Sequence, residues 1–415
     1  MRVLLASGVQ RARVTSSAPL RGSARDSDRQ LLPRGCKSAT VDLTGKTAAP
    51  LRLSVSDAPD GTGGLQGASP LVFSSVDGTP ISIRAAGSTG RVVVDGTYRG
   101  SAEIIPGSRG LTVVSLVPVD DYLPGVLGAE IGADSPREAL EAQAIAARSY
   151  VLYHALHATG EPFDIAATTS GQVYRGAAAE SEATVRAARE TRGEVLTVQG
   201  SVVDATYHAV SGGVTADPLT VWGSPIAGLA AVYDGVGTGR DLSTEDEVRR
   251  FLLSPPRGVL GASHPYFRWR TRLSADSLTR MLAASLPRRH PQGAEQIGRL
   301  QDIRIDARAV SGHISQVTLV GSAGAASVRG DAIRWVFGDG RTGGDGLRST
   351  LFVVDKAGSR APYSAYEFVG GGWGHGTGMS QAGAIELAQR GLDHRAILKH
   401  YYRLADLTDL VESEP

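Results

Sequence analysis

The sequence predicts an α+β protein: a β-rich N-terminal region packed on a mixed α/β core, with a smaller α/β subdomain inserted into that core. Three observations lead there. Short runs of Val, Ile and Leu alternate with turn signals containing Gly and Asp through the first 120 residues. At Asp120 the character changes, and apolar residues take up helical spacing. Near the end, six Gly in nine residues (370–378) open directly into a helix. The organisation read from these is a β-rich region at 1–119, a first core part at 120–232, an inserted subdomain at 233–320 and a second core part at 321–415.

The early strand candidates are Arg2–Leu5, Leu51–Val55, Ile81–Arg84, Arg91–Val94, Tyr98–Ile105 and Leu111–Leu116, with a polar loop predicted over Ala24–Thr40. Leu123, Val126, Leu127 and Ile131 suit a short helix. A stronger helix is predicted from Pro136 to about Ala158. Ser135-Pro136-Arg137-Glu138 reads as a capping box with Pro at the first helical position, and Leu140, Ala144, Ala147 and Val151 form an apolar stripe. Thr168–Gly176 reads as a loop and Glu182–Thr191 as a helix, with strands at Glu194–Val198 and Ser201–Ala209. In the inserted segment, helices are predicted at Thr244–Leu253 and Ala275–Leu286 and strands at Leu300–Ala307 and His313–Val320. A turn at Asp339–Gly346 and a strand at Ser349–Val354 follow. The last helix pair starts near Ser380, breaks at Gly391 and is recapped by Asp393.

Composition narrows the function. Gly makes up 52 of 415 residues, well above the ~7% of an average globular chain, without the three-residue period of collagen. Lys and Arg total 43 against 42 Asp and Glu, a net charge of +1, which argues against a nucleic-acid protein driven by phosphate neutralisation. The single Cys36 precludes an intrachain disulfide or a Cys-rich zinc cluster. No run approaches the ~18 apolar residues of a membrane span, so none is expected, and Val3–Ala6 is too short for a signal-peptide core.

Two features could carry chemistry. The 370–378 cluster suits either close backbone approach to a ligand, with Trp373 as a stacking platform, or a tight core crossing between strand and helix. Glu130 ends an apolar helical stretch, where burial beside Leu and Ile would raise its pKa; a solvated rim residue is the competing reading. No metal is expected, since none of the nine His sits in a His-Glu-x-x-His arrangement. The Gly-x-Ser-x-Gly nucleophile elbow is also missing. No cofactor is expected.

The motifs add a resemblance. Asp121-Tyr122-Leu123-Pro124-Gly125-Val126 followed by Glu130, and Glu138-Ala139-Leu140-Glu141-Ala142-Gln143-Ala144-Ile145-Ala146-Ala147-Arg148-Ser149-Tyr150, resemble the SpoIID/LytB family, the stage II sporulation protein D lytic transglycosylases and amidase enhancers. Blocks around Gln172-Val173-Tyr174, Tyr207-His208, Ser211-Gly212-Gly213, Leu347-Arg348-Ser349-Thr350 and Gly372-Trp373-Gly374-His375-Gly376 agree in order, as does Gly378-Met379-Ser380-Gln381.

The resemblance implies cleavage of peptidoglycan glycan strands without water, between N-acetylmuramic acid and N-acetylglucosamine, on strands stripped of stem peptides. The product carries a 1,6-anhydro ring. Glu130 falls on the family's catalytic Glu. One carboxyl suffices because the sugar's own 6-hydroxyl replaces the second group of an ordinary glycosidase. An acid role at neutral pH requires a pKa above the ~4.3 of free Glu. By the same resemblance Gln143, Arg148, Gln172, Tyr174, Tyr207, Ser211, Trp373, His375, Ser380 and Gln381 are substrate holders. The implied partners are glycan strands and, on an alternative reading as a non-catalytic amidase enhancer, a wall amidase; the implied location is outside the cytoplasm. Positions 141 and 148 fall within ~20° of one helix face, whereas 143 and 148 are ~140° apart. The chain departs from the family in having Glu141 where Lys is usual and Ile131-Gly132 where Met-Pro is common. It also has no Cys near His208 for the zinc cluster of some members.

Overall fold

A computed structural model of the chain describes residues 1–25, 31–32, 36–43, 51–55, 66–67, 71–75, 80–86, 92–169, 171–289, 297–338 and 346–410. They form a mixed α+β structure divided into two units, Met1–Glu194 with Leu410, and Val195–Asp409.

The first unit begins with two six-stranded sheets. In one, Arg2–Val9 lies between the short Ile165–Ala166 and the hairpin strand Gly110–Leu116, followed by Ser101–Gly107, Leu71–Ser75 and Leu20–Ala24. In the other, the order is Gln66–Gly67, Leu51–Val55, Ser38–Leu43, Arg11–Thr15, Ile81–Ala86 and Val92–Tyr98. Alternation explains the burial: in Ile81–Ala86 every second residue is inside, as a half-buried strand requires. The loop predicted over 24–40 falls partly outside the described residues, at 26–30 and 33–35. Its end differs, because Ser38–Thr40 already belong to a strand. The turn predicted at Asp339–Gly346 lies almost wholly outside the described residues.

Three helices complete this unit: α1 (Val119–Leu127), α2 (Arg137–His157) and α3 (Glu182–Glu190). Leu127, Leu140, Ala144 and Ala187 join them in one apolar cluster, with Ile131 packed against it. α2 lies where its stripe predicted, but the capping box is not formed. Ser135 Oγ donates instead to the Ile131 carbonyl, and Pro136 occupies the cap without a side-chain bond. The box appears at α3, where Ser181 and Thr184 satisfy each other's backbone N–H groups.

The second unit holds α4 (Pro218–Trp222), α5 (Glu245–Leu253), α6 (Ala275–Arg289), α7 (Ala332–Val336), α8 (Gln381–Gln389) and α9 (His394–Tyr401). Its core is built where Leu278, Leu282 and Leu286 of α6 meet Ile303, Val317 and Leu319 of the sheet Leu300–Arg308, Ile314–Gly321 and Ala325–Arg329. A second three-stranded sheet places Ala365–Gly371 between Arg268–Ser274 and Phe352–Ala357. That central strand delivers the chain into the Gly-rich loop. Among the described residues no helix is long and apolar enough to cross a membrane.

Candidate functional site

Glu130 sits on a π-helical turn, Gly128–Gly132, that continues α1. Such wide turns inside helices recur at functional positions. The carboxyl is half-buried, and its Oε1 accepts the Val173 N–H at 2.7 Å. Oε1 can accept that bond in either protonation state, more strongly as a carboxylate than as the carbonyl oxygen of the acid.

Behind it the loop is pinned. Gln172 is fully buried, donates from Nε2 to the Ala147 carbonyl at 3.1 Å and accepts the Tyr122 hydroxyl at 3.0 Å. Burial, with Tyr174 and Glu130 nearby, pushes the Tyr122 phenol well above its ordinary pKa, so it stays a donor. Tyr174 packs its ring 4.6 Å from that of Tyr122 and 5.6 Å from that of Tyr98. Gln172 and Tyr174 therefore hold the backbone N–H that holds Glu130.

The other two residues predicted on α2 also lie inside. Gln143 is fully buried. Arg148 is 3% exposed, and its guanidinium donates to the carbonyls of Ala188, Thr191 and Glu194 and pairs with Asp120 at 3.2 Å. A cation at the C-terminal turn of α3 satisfies carbonyls that have no helical partner. Glu141 shares that interior and accepts from Arg137 at 2.6 Å.

In the second unit, the Gly-rich loop is stitched to neighbouring backbone on both sides. Trp373 and Val210 exchange N–H···O bonds, Gly374 N donates to the Arg348 carbonyl, and Ala216 N to the Gly376 carbonyl. Gly374 has φ 119°, and a Cβ there would lie 2.6 Å from that of His208. Gly378 has φ 68°, and its Cβ would lie 1.9 Å from the Thr206 carbonyl oxygen. Only Gly fits such positions. Backbone crowding of this kind is what a tight crossing demands, and Trp373 is the most exposed side chain of the loop, at 42%.

The remaining predicted residues frame that loop. Ser380 Oγ caps α8, accepting from Gly383 N and Ser211 N. Gln381, the first residue of α8, is buried. Ser211 Oγ donates to the buried Asp234, which also accepts the Tyr401 hydroxyl at 2.8 Å and lies 3.3 Å from His400 Nε2. Ser211 therefore helps satisfy a buried charge.

Tyr207 is half-buried and pairs with Met379 across a two-residue parallel bridge. His375 accepts from Thr377 through Nδ1 and bonds the Tyr207 backbone. Burial lowers its pKa to about 4, and that of His208 to about 3. His208 Nδ1 meets the Thr377 carbonyl at 3.0 Å, and its ring stands edge-on to that of His375 at 5.8 Å.

Seven of the eleven predicted site residues are thus buried: Gln143, Arg148, Gln172, Tyr174, Ser211, Ser380 and Gln381. Glu130, Tyr207, His375 and Trp373 keep part of their surface in solvent. Sequence reasoning gave no role to Asp234, an isolated acid in a loop, or to Arg268. The Arg268 guanidinium donates to the carbonyls of Gly212, Phe251, Leu252 and Phe267, which fixes the turn after Ser211. A cavity of about 470 Å³ in this unit, lined by Tyr233, Phe251, Arg240 and Arg257 among others, contains none of the predicted site residues.

Comparison with known proteins agrees with the motifs. The profile of the stage II sporulation protein family matches residues 107–198, the segment that carries Glu130, Gln143, Arg148, Gln172 and Tyr174. A domain of unknown function (DUF8618) matches 223–378. The chain is 29% identical over 319 residues to an uncharacterised protein of Brachyspira hyodysenteriae, covering 75% of this chain and 72% of that one. It is 28% identical over 305 residues to the amidase enhancer of Bacillus subtilis, covering 69% of this chain and 40% of the enhancer. It is 25% identical over 311 residues to stage II sporulation protein D of Bacillus amyloliquefaciens, covering 71% and 76%. The profile match and the named relatives support the likeness to the SpoIID/LytB family.

Proposed function

We propose that this protein acts on the bacterial cell wall, outside the cytoplasmic membrane, as a lytic transglycosylase of peptidoglycan glycan strands, with Glu130 as the single acid and base. The observation that carries the reading is the placement of Glu130: a half-exposed carboxyl on a π-turn, aimed by the Val173 N–H and backed by the buried Gln172 clamp. Protonated Glu130 gives its proton to the glycosidic oxygen as the muramic C1–O bond breaks. The resulting carboxylate takes the proton of the muramic 6-hydroxyl as that oxygen closes on C1. The carboxyl ends the cycle as it began, the chain is cut, and the new end is a 1,6-anhydro ring. General acid–base help of this kind contributes roughly 10²–10⁴ in rate.

A second reading, a non-catalytic enhancer that recruits a wall amidase, is favoured by the likeness to the Bacillus subtilis amidase enhancer. Purified protein and Glu130→Gln, incubated with peptide-stripped glycan strands, separate the two by mass spectrometry. The enzyme reading expects anhydro-ended fragments from the wild type and at least a hundredfold fewer from Glu130→Gln, with the fold intact. Wild type that binds strands yet releases no anhydro ends leaves the enhancer reading in place.

A further inference from the structure

Arg348 took no part in the site read from the sequence, yet it forms the flank of the exposed platform at Trp373. Its guanidinium carbon lies over the Tyr266 ring, 3.8 Å from that ring's centroid, and 5.9 Å from the centroid of Trp373. Tyr266 stands edge-on to Trp373 at 4.7 Å. The three groups are fixed from behind. The Arg348 carbonyl accepts from Gly374 N, the Tyr266 carbonyl accepts from Gly372 N, and Ser349 Oγ donates to the Gly371 carbonyl at 2.7 Å. His264 Nδ1 accepts the Tyr266 N–H at 3.1 Å and completes the rim. Among the described residues Arg348 forms no ion pair, whereas Arg249, Arg308 and Arg334 in the same unit each pair with a carboxylate. Its side chain is half-buried on an aromatic face, so the charge is held in place rather than swinging in solvent.

We propose that this platform selects an acidic saccharide: Trp373 takes the face of a sugar ring, and the Arg348 fork, pre-oriented by Tyr266, takes a carboxylate carried by that ring or its neighbour. The inference rests on the glycan reading above and sharpens it, because the lactyl group of muramic acid is the carboxylate that a peptide-stripped strand presents. An aromatic ring alone accepts any sugar face. A guanidinium adds a charge-assisted and bidentate contact that a neutral sugar cannot supply, which makes it a device for specificity. Arg348 is assigned here as a binding residue, with no part in proton transfer.

Binding of the full-length protein to three probes of matched length tests this: a peptide-stripped wall glycan, the same glycan with its carboxyls reduced to alcohols, and a neutral oligomer of N-acetylglucosamine. Wild type is expected to prefer the carboxylate form about tenfold over the reduced form, with the preference shrinking as salt rises. Arg348→Gln should abolish that preference and leave affinity for the two neutral probes unchanged. Arg348→Lys, which keeps the charge and loses the fork, should retain a smaller, salt-sensitive preference. Trp373→Ala should weaken all three alike.

An Arg348→Gln variant that keeps both its melting temperature and the full preference overturns the assignment while the glycan reading stands. Equal loss on all three probes also overturns it, since that marks a purely structural arginine. Wild type that binds none of the probes overturns the glycan reading itself.

Discussion

Gln172 and Arg148 are polar residues set inside the fold. Each acts through backbone that it fixes: Gln172 steadies the loop whose Val173 N–H meets Glu130, and Arg148 ties down the end of α3. Replacing Gln172 with Leu strands the buried Tyr122 hydroxyl and removes two hydrogen bonds, a cost of about 1–3 kcal/mol. Urea denaturation checks that figure. On the lytic reading, kcat for anhydro-end formation should also fall with KM nearly unchanged, because the loop that aims Glu130 loosens. A variant with lost stability and unaltered kcat restricts Gln172 to the core. None of this was visible in the order of residues. A Gln in a loop and an Arg on a helix look the same whether they face a ligand or a carbonyl.

At the scale of elements, α1 reaches the 3₁₀ turn Gly176–Ala179 closely enough that its glycines are needed for space alone. Gly128 has an ordinary helical φ of −65°, but a Cβ there would lie 1.8 Å from the Ala179 carbonyl oxygen. Gly125, one turn earlier, would meet the Gly176 carbonyl at 2.8 Å. Gly128→Ala is therefore expected to cost at least the upper end of the ~1–3 kcal/mol typical of overpacking, and to shift Glu130 two residues downstream. Thermal unfolding and the anhydro-end assay read the two effects; an unchanged melting temperature contradicts the close approach.

Helices were the most legible elements. α2, α3, α5 and α9 lie within a residue or two of the bounds that their spacing and caps predict. The strand Arg268–Ser274 was not recognised, because its outward face carries Arg270 and Arg272 and its apolar signal is short. Pairing with the buried strand Ala365–Gly371 is what makes it a strand.

For the molecule as a whole, two buried imidazoles, His208 and His313, and the half-buried His375 contribute to the response to acid. His208 and His313 are held at about 3 and His375 at about 4, by burial first, against an ordinary value of 6.5. The groups acting on them are Asp331 and Arg334 at His375, Asp234 and Arg334 at His208, and Arg308 at His313, in addition to the histidines' mutual repulsion. Because the folded pKa values lie below the unfolded one, nothing is lost above pH 6.5. As pH falls through 6.5 toward 4, the unfolded chain takes up protons that the folded chain refuses, and stability declines. Near pH 5 each imidazole adds to that decline, with a slope of at most about 1 kcal/mol per pH unit. Urea denaturation at pH 7, 6 and 5 should show the decline, and His313→Asn should lessen the slope. An unaltered slope in that variant means that His313 titrates equally in both states.

Local physics along the chain was enough for the mixed α+β class, for most helix bounds and for marking the Gly-rich loop as a position of interest; Glu130 was singled out only by the family resemblance. Periodicity, caps and Gly clusters act over a few residues and leave their trace in chain order. Which candidates face solvent was decided only by long-range contacts. Gln172 is enclosed because Tyr122 lies 50 positions away in sequence and one hydrogen bond away in space. Arg348 gains its platform because Tyr266 and Trp373 converge from separate strands and loops. Burial and the pairing of polar groups belong to the folded surface, and no spacing rule encodes them.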